Sequence, residues 1–336
     1  MTRRELIRLM AAAAAGALPV RSAAGSPRQL KAPLAPSTVF PVGLAGCADY
    51  DRAHLLEAIR SGWRTTRPPD IRGKKIVIKP NIADFFPDRP IHTDPRLVEA
   101  LIVHLRELGA GSIVLAEGPP HNRDTELVFR QTGFEALAGR LGLALVDLNY
   151  DRVRLVRNPS PNARLKEIWL PETVLSADVL ISLPKMKTHR FAGVTLSLKN
   201  MFGLFPGLVY GWPKNILHWN GISSSICEIN ATVKSHYSIV DGIVGMEGYG
   251  PLLGTPKKAG VLVMGDNPLA VDATAARIMG VEPGRVEHLA VAQRARLGSL
   301  RRPDIVVGGG TIEQFRTDFA LDPEFAFLRA SKGPLS

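Results

Sequence analysis

The densest run of reactive side chains in this sequence is Lys185-Met186-Lys187-Thr188-His189-Arg190, with Lys199 and Asn200 following shortly after. The residues between them include Gly193, Thr195 and Ser197, which offer little bulk and two hydroxyls, and the whole stretch carries no acid. Clustered cations with hydroxyls and a nearby helix start suit a phosphate or a carboxylate, because charge-assisted hydrogen bonds and backbone amides both favour an anion. Lys185, Lys187, Lys199 and Asn200 are therefore the candidate ligand-binding residues. A small anionic molecule is the expected partner. The plain alternative is a solvated basic loop.

Histidines supply the candidate acid–base groups, since imidazole titrates near neutral pH. His189 lies inside the basic run, and His121 lies in Glu117-Gly118-Pro119-Pro120-His121. Facing each other, they would act as a proton-transfer pair. His218, in Ile216-Leu217-His218-Trp219, is a candidate metal ligand or a helix cap. Asp241-Gly242 and Glu247-Gly248 add acids beside glycines, which read as turn residues or as substrate or metal contacts.

These residues need a scaffold, and the sequence alternates strand and helix signals. Lys75–Lys79 is a β-branched run stopped by Pro80-Asn81. Asp94-Pro95 opens a helix with Leu97, Leu101, Leu105 and Leu108 on one face and Gly109 at its end. Ser112–Ala116 is the next strand. Thr125–Gln131 and Phe134–Leu141 read as helices, Leu143–Asp147 as a strand, and residues 151–170 as a hairpin. Ala177–Leu183 is a buried strand, Ile222–Val233 a helix, and Tyr237–Val240 and Val261–Met264 strands. Asp266-Asn267-Pro268 caps a helix that Gly280 stops. The alternation predicts an α/β fold with a largely parallel sheet flanked by helices. Ligands in such sheets gather beyond the carboxyl ends of the strands. Three loops qualify: Asn81–Asp94, Glu117–Asp124 and Pro184–Asn200.

The chain starts with Arg3-Arg4, an apolar run from Leu9 to Val20 and small residues to Ala24. That pattern describes a twin-arginine signal over residues 1–24, followed by a Pro/Ser/Ala linker over 25–37. The apolar run is shorter than the roughly 20 residues of a spanning helix. The sequence thus predicts a periplasmic or otherwise exported protein, delivered by the twin-arginine machinery and without a stable membrane span once mature. The α/β domain is expected over 38–310 and a tail over 311–336. The net charge is +11, and the mature chain keeps about +8 of it. This favours anionic ligands, but no recognition helix, zinc finger or aromatic-basic stripe points to nucleic acid. Cys47 and Cys227 are compatible with a disulfide or with two isolated thiols. With no CxxC motif, an iron–sulfur cluster is not expected.

Lys79-Pro80-Asn81, Leu183–His189, Thr195–Asn200 and Asp266-Asn267-Pro268 with Val271-Asp272 resemble the domain-of-unknown-function 362 family over most of residues 40–300. A fainter likeness links Ile181–Gly207 to the nickel-pincer-nucleotide lactate racemase family, through His189, Ala192-Gly193, Lys199 and Pro206-Gly207. The second resemblance implies that His121 and His189 form the acid–base pair, that Lys199 tethers the nickel-pincer nucleotide, and that His218 binds nickel. This chain has Thr93-Asp94-Pro95-Arg96 where that family has Thr-Arg-Pro-Thr. Two functions follow as expectations. One is a racemase-, epimerase- or hydride-shuttling-type enzyme with a lysine-held cofactor. The other is a non-catalytic periplasmic module that binds phosphate or carboxylate.

Overall fold

A computed structural model describes residues 39–120, 124–212, 214–233 and 236–330. The expected leader, the expected linker and His121 lie outside the described residues. The strands are β1 (Phe40–Gly46), β2 (Lys75–Pro80), β3 (Ser112–Glu117), β4 (Ala144–Asp147), β5 (Val153–Arg157), β6 (Glu167–Pro171), β7 (Val179–Leu183), β8 (Lys185–His189), β9 (Gly193–Thr195), β10 (Tyr237–Glu247), β11 (Thr255–Gly265) and β12 (Ile305–Gly308). The main sheet runs β12-β1-β11-β10-β7-β2-β3-β4, with β8 paired to β10 and β9 paired to β8. From β10 to β4 every neighbouring pair is parallel. β11 is antiparallel to both β10 and β1. The fold is therefore α/β with a largely parallel sheet, as the alternation of elements requires. β5 and β6 form a separate antiparallel hairpin.

The sheet has an apolar core on each face. Alternation within β2 sends Val77 to one core and Ile76 and Ile78 to the other, and all three are fully buried. Each such side chain contributes roughly 1.5–3 kcal/mol by leaving water. The helices Arg52–Arg64, Pro95–Glu107 and Phe134–Leu141 cover the Ile76 face, while Ile222–Thr232, Pro268–Ile278 and Glu287–Arg294 cover the Val77 face. Their ends follow local rules. The Asp94 side chain accepts from the Arg96 amide ahead of Pro95, and the Asn267 side chain accepts from the Ala270 amide ahead of Pro268.

Between β2 and β7 the order in which strands are added reverses. The chain leaves β2 toward β3 and β4 across one face, and leaves β7 toward β10 across the other. That switch opens a crevice at the carboxyl ends of the two strands. Lys79 on β2 sits beside Ser182 on β7 at this point, on the Val77 face.

Three expectations need correction. Pro184–Asn200 is not an open loop. β8 continues past Pro184 alongside β10, and β9 folds back on it antiparallel. β10 extends beyond the end of β7, so it has free hydrogen-bonding positions that β8 fills. Asp241 and Glu247 are not turn residues, because β10 runs unbroken through both with one irregularity between Gly242 and Val244. Residues 311–330 do not form a tail. Phe319 and Leu328 are buried, and Leu321 and Arg329 bridge to Gly248 and Val281. Of the two alternatives left open for the cysteines, the structure has the isolated thiols: Cys47 and Cys227 are both buried and form no disulfide. Among the described residues no helix is long and apolar enough to cross a membrane.

The β8 hairpin sits flush on β10 only because Gly245 has no side chain. A Cβ there would lie 2.6 Å from the Met186 carbonyl oxygen and 2.9 Å from the Phe319 ring. Gly245→Ala is expected to lower the unfolding free energy by about 1–3 kcal/mol through overpacking. Chemical denaturation measures this, and an unchanged midpoint would show that the hairpin can move aside at no cost.

Candidate functional site

The alternation of β8 places Lys185, Lys187 and His189 on one face and Met186 on the other, where it joins the apolar core. The three polar residues have different fates. Lys185 donates to Asp241 Oδ2 at 2.6 Å, to the Tyr50 hydroxyl at 3.0 Å and to the Val244 carbonyl at 3.2 Å. All three of its protons are engaged, so it locks β8 to β10 and offers nothing to a ligand. Lys187 donates to the Ile91 carbonyl at 2.7 Å and is almost fully buried. Burial, reinforced by the charges of Lys199 and Lys185, pushes its pKa down to about 7. His189 Nδ1 accepts from the Phe191 and Ala192 amides at 3.1 and 3.2 Å. An accepting Nδ1 leaves the ring proton on Nε2. Burial, then Lys199 and Lys187, hold the His189 pKa well below its ordinary value.

Lys79 and Glu117 form the floor of the crevice. Lys79 Nζ donates to Glu117 Oε1 at 2.5 Å, and both side chains are nearly inaccessible. Glu117 also accepts from the Ile82 amide at 2.9 Å and the Gly118 amide at 2.8 Å. Asn200 ties the floor to the sheet: its Nδ2 donates to the Lys79 carbonyl at 3.2 Å and to the Ser182 hydroxyl at 2.9 Å. Gly203 passes so close that an added Cβ would collide with Glu117 and Lys79. Lys214 enters from the far side in a left-handed backbone conformation, φ +67°, and donates to the Gly118 carbonyl at 3.1 Å. Burial pushes its pKa down to about 7, against the pull of Glu117.

Lys199 is the centre of this group. It is part-buried, and its amine lies 4.3 Å from the centre of the Phe202 ring. Among the described residues the amine has no hydrogen-bond or ion-pair partner. Burial, then the charge of Lys79, brings its pKa down to about 8. Its own charge is felt at Lys187, His189, Lys214, His218 and His288. His218 is on the exposed side of the short Asn215–Trp219 helix and packs against the same Phe202 ring, centroid to centroid 5.7 Å.

The helix start that the sequence placed beside the ligand is already occupied. Asp272 reaches across from the Pro268–Ile278 helix and accepts from the Ser197 and Leu198 amides at 2.7 and 2.9 Å. Its carboxyl is fully buried, and burial pushes its pKa up to about 7. The anion-attracting amides are thus satisfied from within.

The structure gathers Lys187, His189, Lys199 and His218 into one electrostatic neighbourhood. It assigns Lys185 to a separate knot with Asp241 and Tyr50, and Asn200 to holding Lys79 in place. Sequence reading missed Lys79, Glu117, Lys214, Asp272 and His288 as parts of the site. Lys79 had a signal, since a lysine closing a buried β-branched run must have a partner. Glu117 at the end of β3 had the same one. Nothing in the sequence marks Lys214 or His288. Among the described residues no group of three or more His, Cys, Asp or Glu side chains is placed to hold a metal ion.

Comparison with known proteins adds a family. The family model described as Domain of unknown function (DUF362) matches residues 76–277. The thylakoid-associated protein sll1697 of Synechocystis sp. is 26% identical over 274 residues, which cover 77% of this chain and 80% of that protein. Among solved structures, the lactate racemase apoprotein of Thermoanaerobacterium thermosaccharolyticum aligns with a TM-score of 0.44 and 13% identity over 73% of this chain and 58% of its own. A Thermotoga maritima protein aligns at 0.34 and 11% over 60% and 52%. This chain therefore spans little more than half the length of either solved protein.

The floor of the site is open to a direct test. Glu117→Ala leaves Lys79 buried without its partner and is expected to destabilise the fold by about 3–5 kcal/mol. Replacing both partners together, as Lys79→Met with Glu117→Leu, should recover a large part of that loss. Equilibrium unfolding of the three variants checks this, and a neutral Glu117→Ala would mean that water reaches the pair.

Proposed function

This chain belongs to the Domain of unknown function (DUF362) family, and from that premise we propose that it binds a small phosphate- or carboxylate-bearing molecule at Lys199. One observation carries the reading: the Lys199 amine has no partner among the described residues, yet Lys79, Lys187 and Lys214 surround it and Glu117 is already bonded to Lys79. A buried surplus of cations is unfavourable until an anion enters. Lys199, reachable from solvent, makes the first contact, and Lys187 and Lys214 stand behind it. The neutral His189 ring presents Nε2–H as a hydrogen-bond donor to the same ligand. On the strength of the leader-like start of the chain, we place this activity outside the cytoplasm.

A second reading turns the same residues to chemistry. An amine with a pKa near 8 is partly free base at neutral pH and is a competent nucleophile. Lys199 could then hold a cofactor covalently, with His218 against the same Phe202 ring and within reach of it. When bound, a nickel-pincer nucleotide would supply redox chemistry, and His189 would hold a proton beside it. That arrangement suits a racemase, epimerase or hydride-shuttling enzyme.

The sign of the pH dependence follows from the lysines. Their unfolded pKa is about 10.4, whereas folding lowers Lys199 to about 8 and Lys187 and Lys214 to about 7. The unfolded chain takes up these protons first. Stability is therefore lost as pH falls from about 10 to about 7 and levels off below that. An anion that pairs with the charged amines reverses the loss. Sulfate and acetate keep their charge across this range and serve as probes. Saturating sulfate is expected to raise the melting temperature more at pH 6 than at pH 9, and Lys199→Gln should abolish the difference. A larger response to acetate than to sulfate would assign the site to carboxylates. An equal sulfate response in Lys199→Gln would reduce the effect to general salting-out, and the reading would fall.

A further inference from the structure

Six large apolar side chains stand out into solvent around the β5–β6 hairpin: Tyr150, Leu155, Trp169, Leu208, Ile216 and Trp219. Trp219 is 82% exposed, Tyr150 65% and Leu208 62%. Backbone contacts join them into one band. Alternation along β6 sends Ile168 and Leu170 into the core and Trp169 outward. Leu155 is the direct partner of Trp169 on β5, so the two share the outer face. The Gly207–Tyr210 helix lies along the edge of β6, where the Trp169 amide donates to the Tyr210 hydroxyl at 2.9 Å. On that helix the Leu208 amide donates to the Asn149 carbonyl at 3.2 Å, which brings Tyr150 alongside. The Tyr150 ring lies 5.5 Å from that of Trp212. At the loop end of the hairpin, Arg164 donates to the Asn220 carbonyl at 2.8 Å and so fixes Trp219 beside it.

The charge of this band is one-sided. Between Tyr150 and Leu170 the exposed cations Arg152, Arg154, Arg157, Arg164 and Lys166 stand against Asp151 and Glu167. Asp151 is already engaged, since it accepts from the Arg152 and Thr173 amides. Glu172 answers Arg154 at 3.4 Å. A positive surplus remains on the hairpin. Single apolar side chains are ordinary on a protein surface, but a joined set with two tryptophans marks an interaction site. Tryptophan and tyrosine carry an apolar body and a polar tip, which suits the boundary between water and hydrocarbon. Arginine and lysine beside them favour anionic headgroups at the same boundary. The side chains project from a hairpin and two short helices, a shape that enters a fluid interface. The hollow beside them, about 560 Å³, is lined chiefly by polar groups, Arg157, Asn158, Lys166 and Glu167 among them.

We propose that this face docks on an anionic lipid surface, with Trp169, Leu208 and Trp219 entering the headgroup region and the cations of the hairpin lying among the lipid phosphates. The inference goes beyond the anion-binding reading and does not depend on it. The attachment is peripheral and requires no spanning helix. Apolar insertion and attraction to headgroup charge act together in such binding, so added salt weakens it.

Co-sedimentation of the whole chain with lipid vesicles tests this. Mixed phosphatidylglycerol–phosphatidylcholine vesicles are expected to bind it about tenfold or more tightly than phosphatidylcholine alone, and sodium chloride should remove most of the difference. Leu208→Ser combined with Trp219→Ser should weaken binding to the anionic vesicles about tenfold, and Arg152→Gln combined with Arg157→Gln by a similar factor. Both pairs should keep the wild-type melting temperature, because all four side chains are exposed. Lys199→Gln should bind vesicles as the wild type does. Binding lost in Lys199→Gln would put a lipid headgroup in the anion site and overturn this proposal while leaving that reading in place. Absence of vesicle binding, or binding that neither surface pair weakens, would also overturn it. So would self-association that Leu208→Ser with Trp219→Ser abolishes, since the face would then be a contact between copies of the chain.

Discussion

The buried Lys79–Glu117 pair is the constraint on which the rest of the site depends. It joins the carboxyl ends of two adjacent parallel strands, where backbone groups leave the ladder and need partners. Each member is fully coordinated. Glu117 receives the Lys79 amine and the Ile82 and Gly118 amides, and Lys79 gives to Glu117 and to Asn200. An ion pair this deep is stable only when every lone pair and proton is satisfied, because desolvation opposes the Coulomb attraction. The pair therefore dictates its surroundings. The loop after β2 must turn back to bring the Ile82 amide close. Asn200 must end the Ser197–Asn200 helix above Ser182. Gly203 must have no side chain.

Because Glu117 is committed to Lys79, it cannot neutralise the lysines above it. Like charges repel strongly in protein-like surroundings, and Lys199 is coupled in this way to Lys79, Lys187 and Lys214. Two remedies exist: lose protons or admit an anion. Burial, and after it the neighbouring lysines, lowers the pKa values of Lys187, Lys199 and Lys214 in the direction of the first remedy. Lys185, one strand position away from Lys187 on the same face, escapes the conflict because Asp241 answers it at 2.6 Å. Residue type did not separate these lysines; the position of an acid on a neighbouring strand did.

That distinction marks what the sequence could and could not reveal. Parallel β2, β3 and β7, the helices between them and their caps were legible, because periodicity, Asp94-Pro95 and Asn267-Pro268 are local signals. The crevice followed from the alternation of elements. β8 was misread although Lys185-Met186-Lys187-Thr188-His189 alternates with period two. Its cations suggested a ligand-binding loop, and only the overhanging length of β10 makes the strand necessary. The split between Lys185 and Lys187, and the arrival of His288 from a helix a hundred residues downstream of the hairpin, are tertiary facts with no local trace. Lys214 shows the same limit, since nothing in Trp212–Asn215 announces a left-handed lysine aimed at Gly118.

Asp272 bears on how the anion site we propose would work. Amides at a helix start hold a fixed partial charge, present whether or not a ligand is bound. Here that field is already used by a carboxylate of the same chain, so attraction falls to side chains that titrate. In the anion site we propose, lysines with pKa values near 7 to 8 would take up protons as an anion enters. Proton uptake and ligand binding then become one linked event. A neutral isostere of the proposed ligand, unable to draw protons onto the lysines, would gain none of that stabilisation. Selectivity for charge over shape would then follow from the placement of one aspartate.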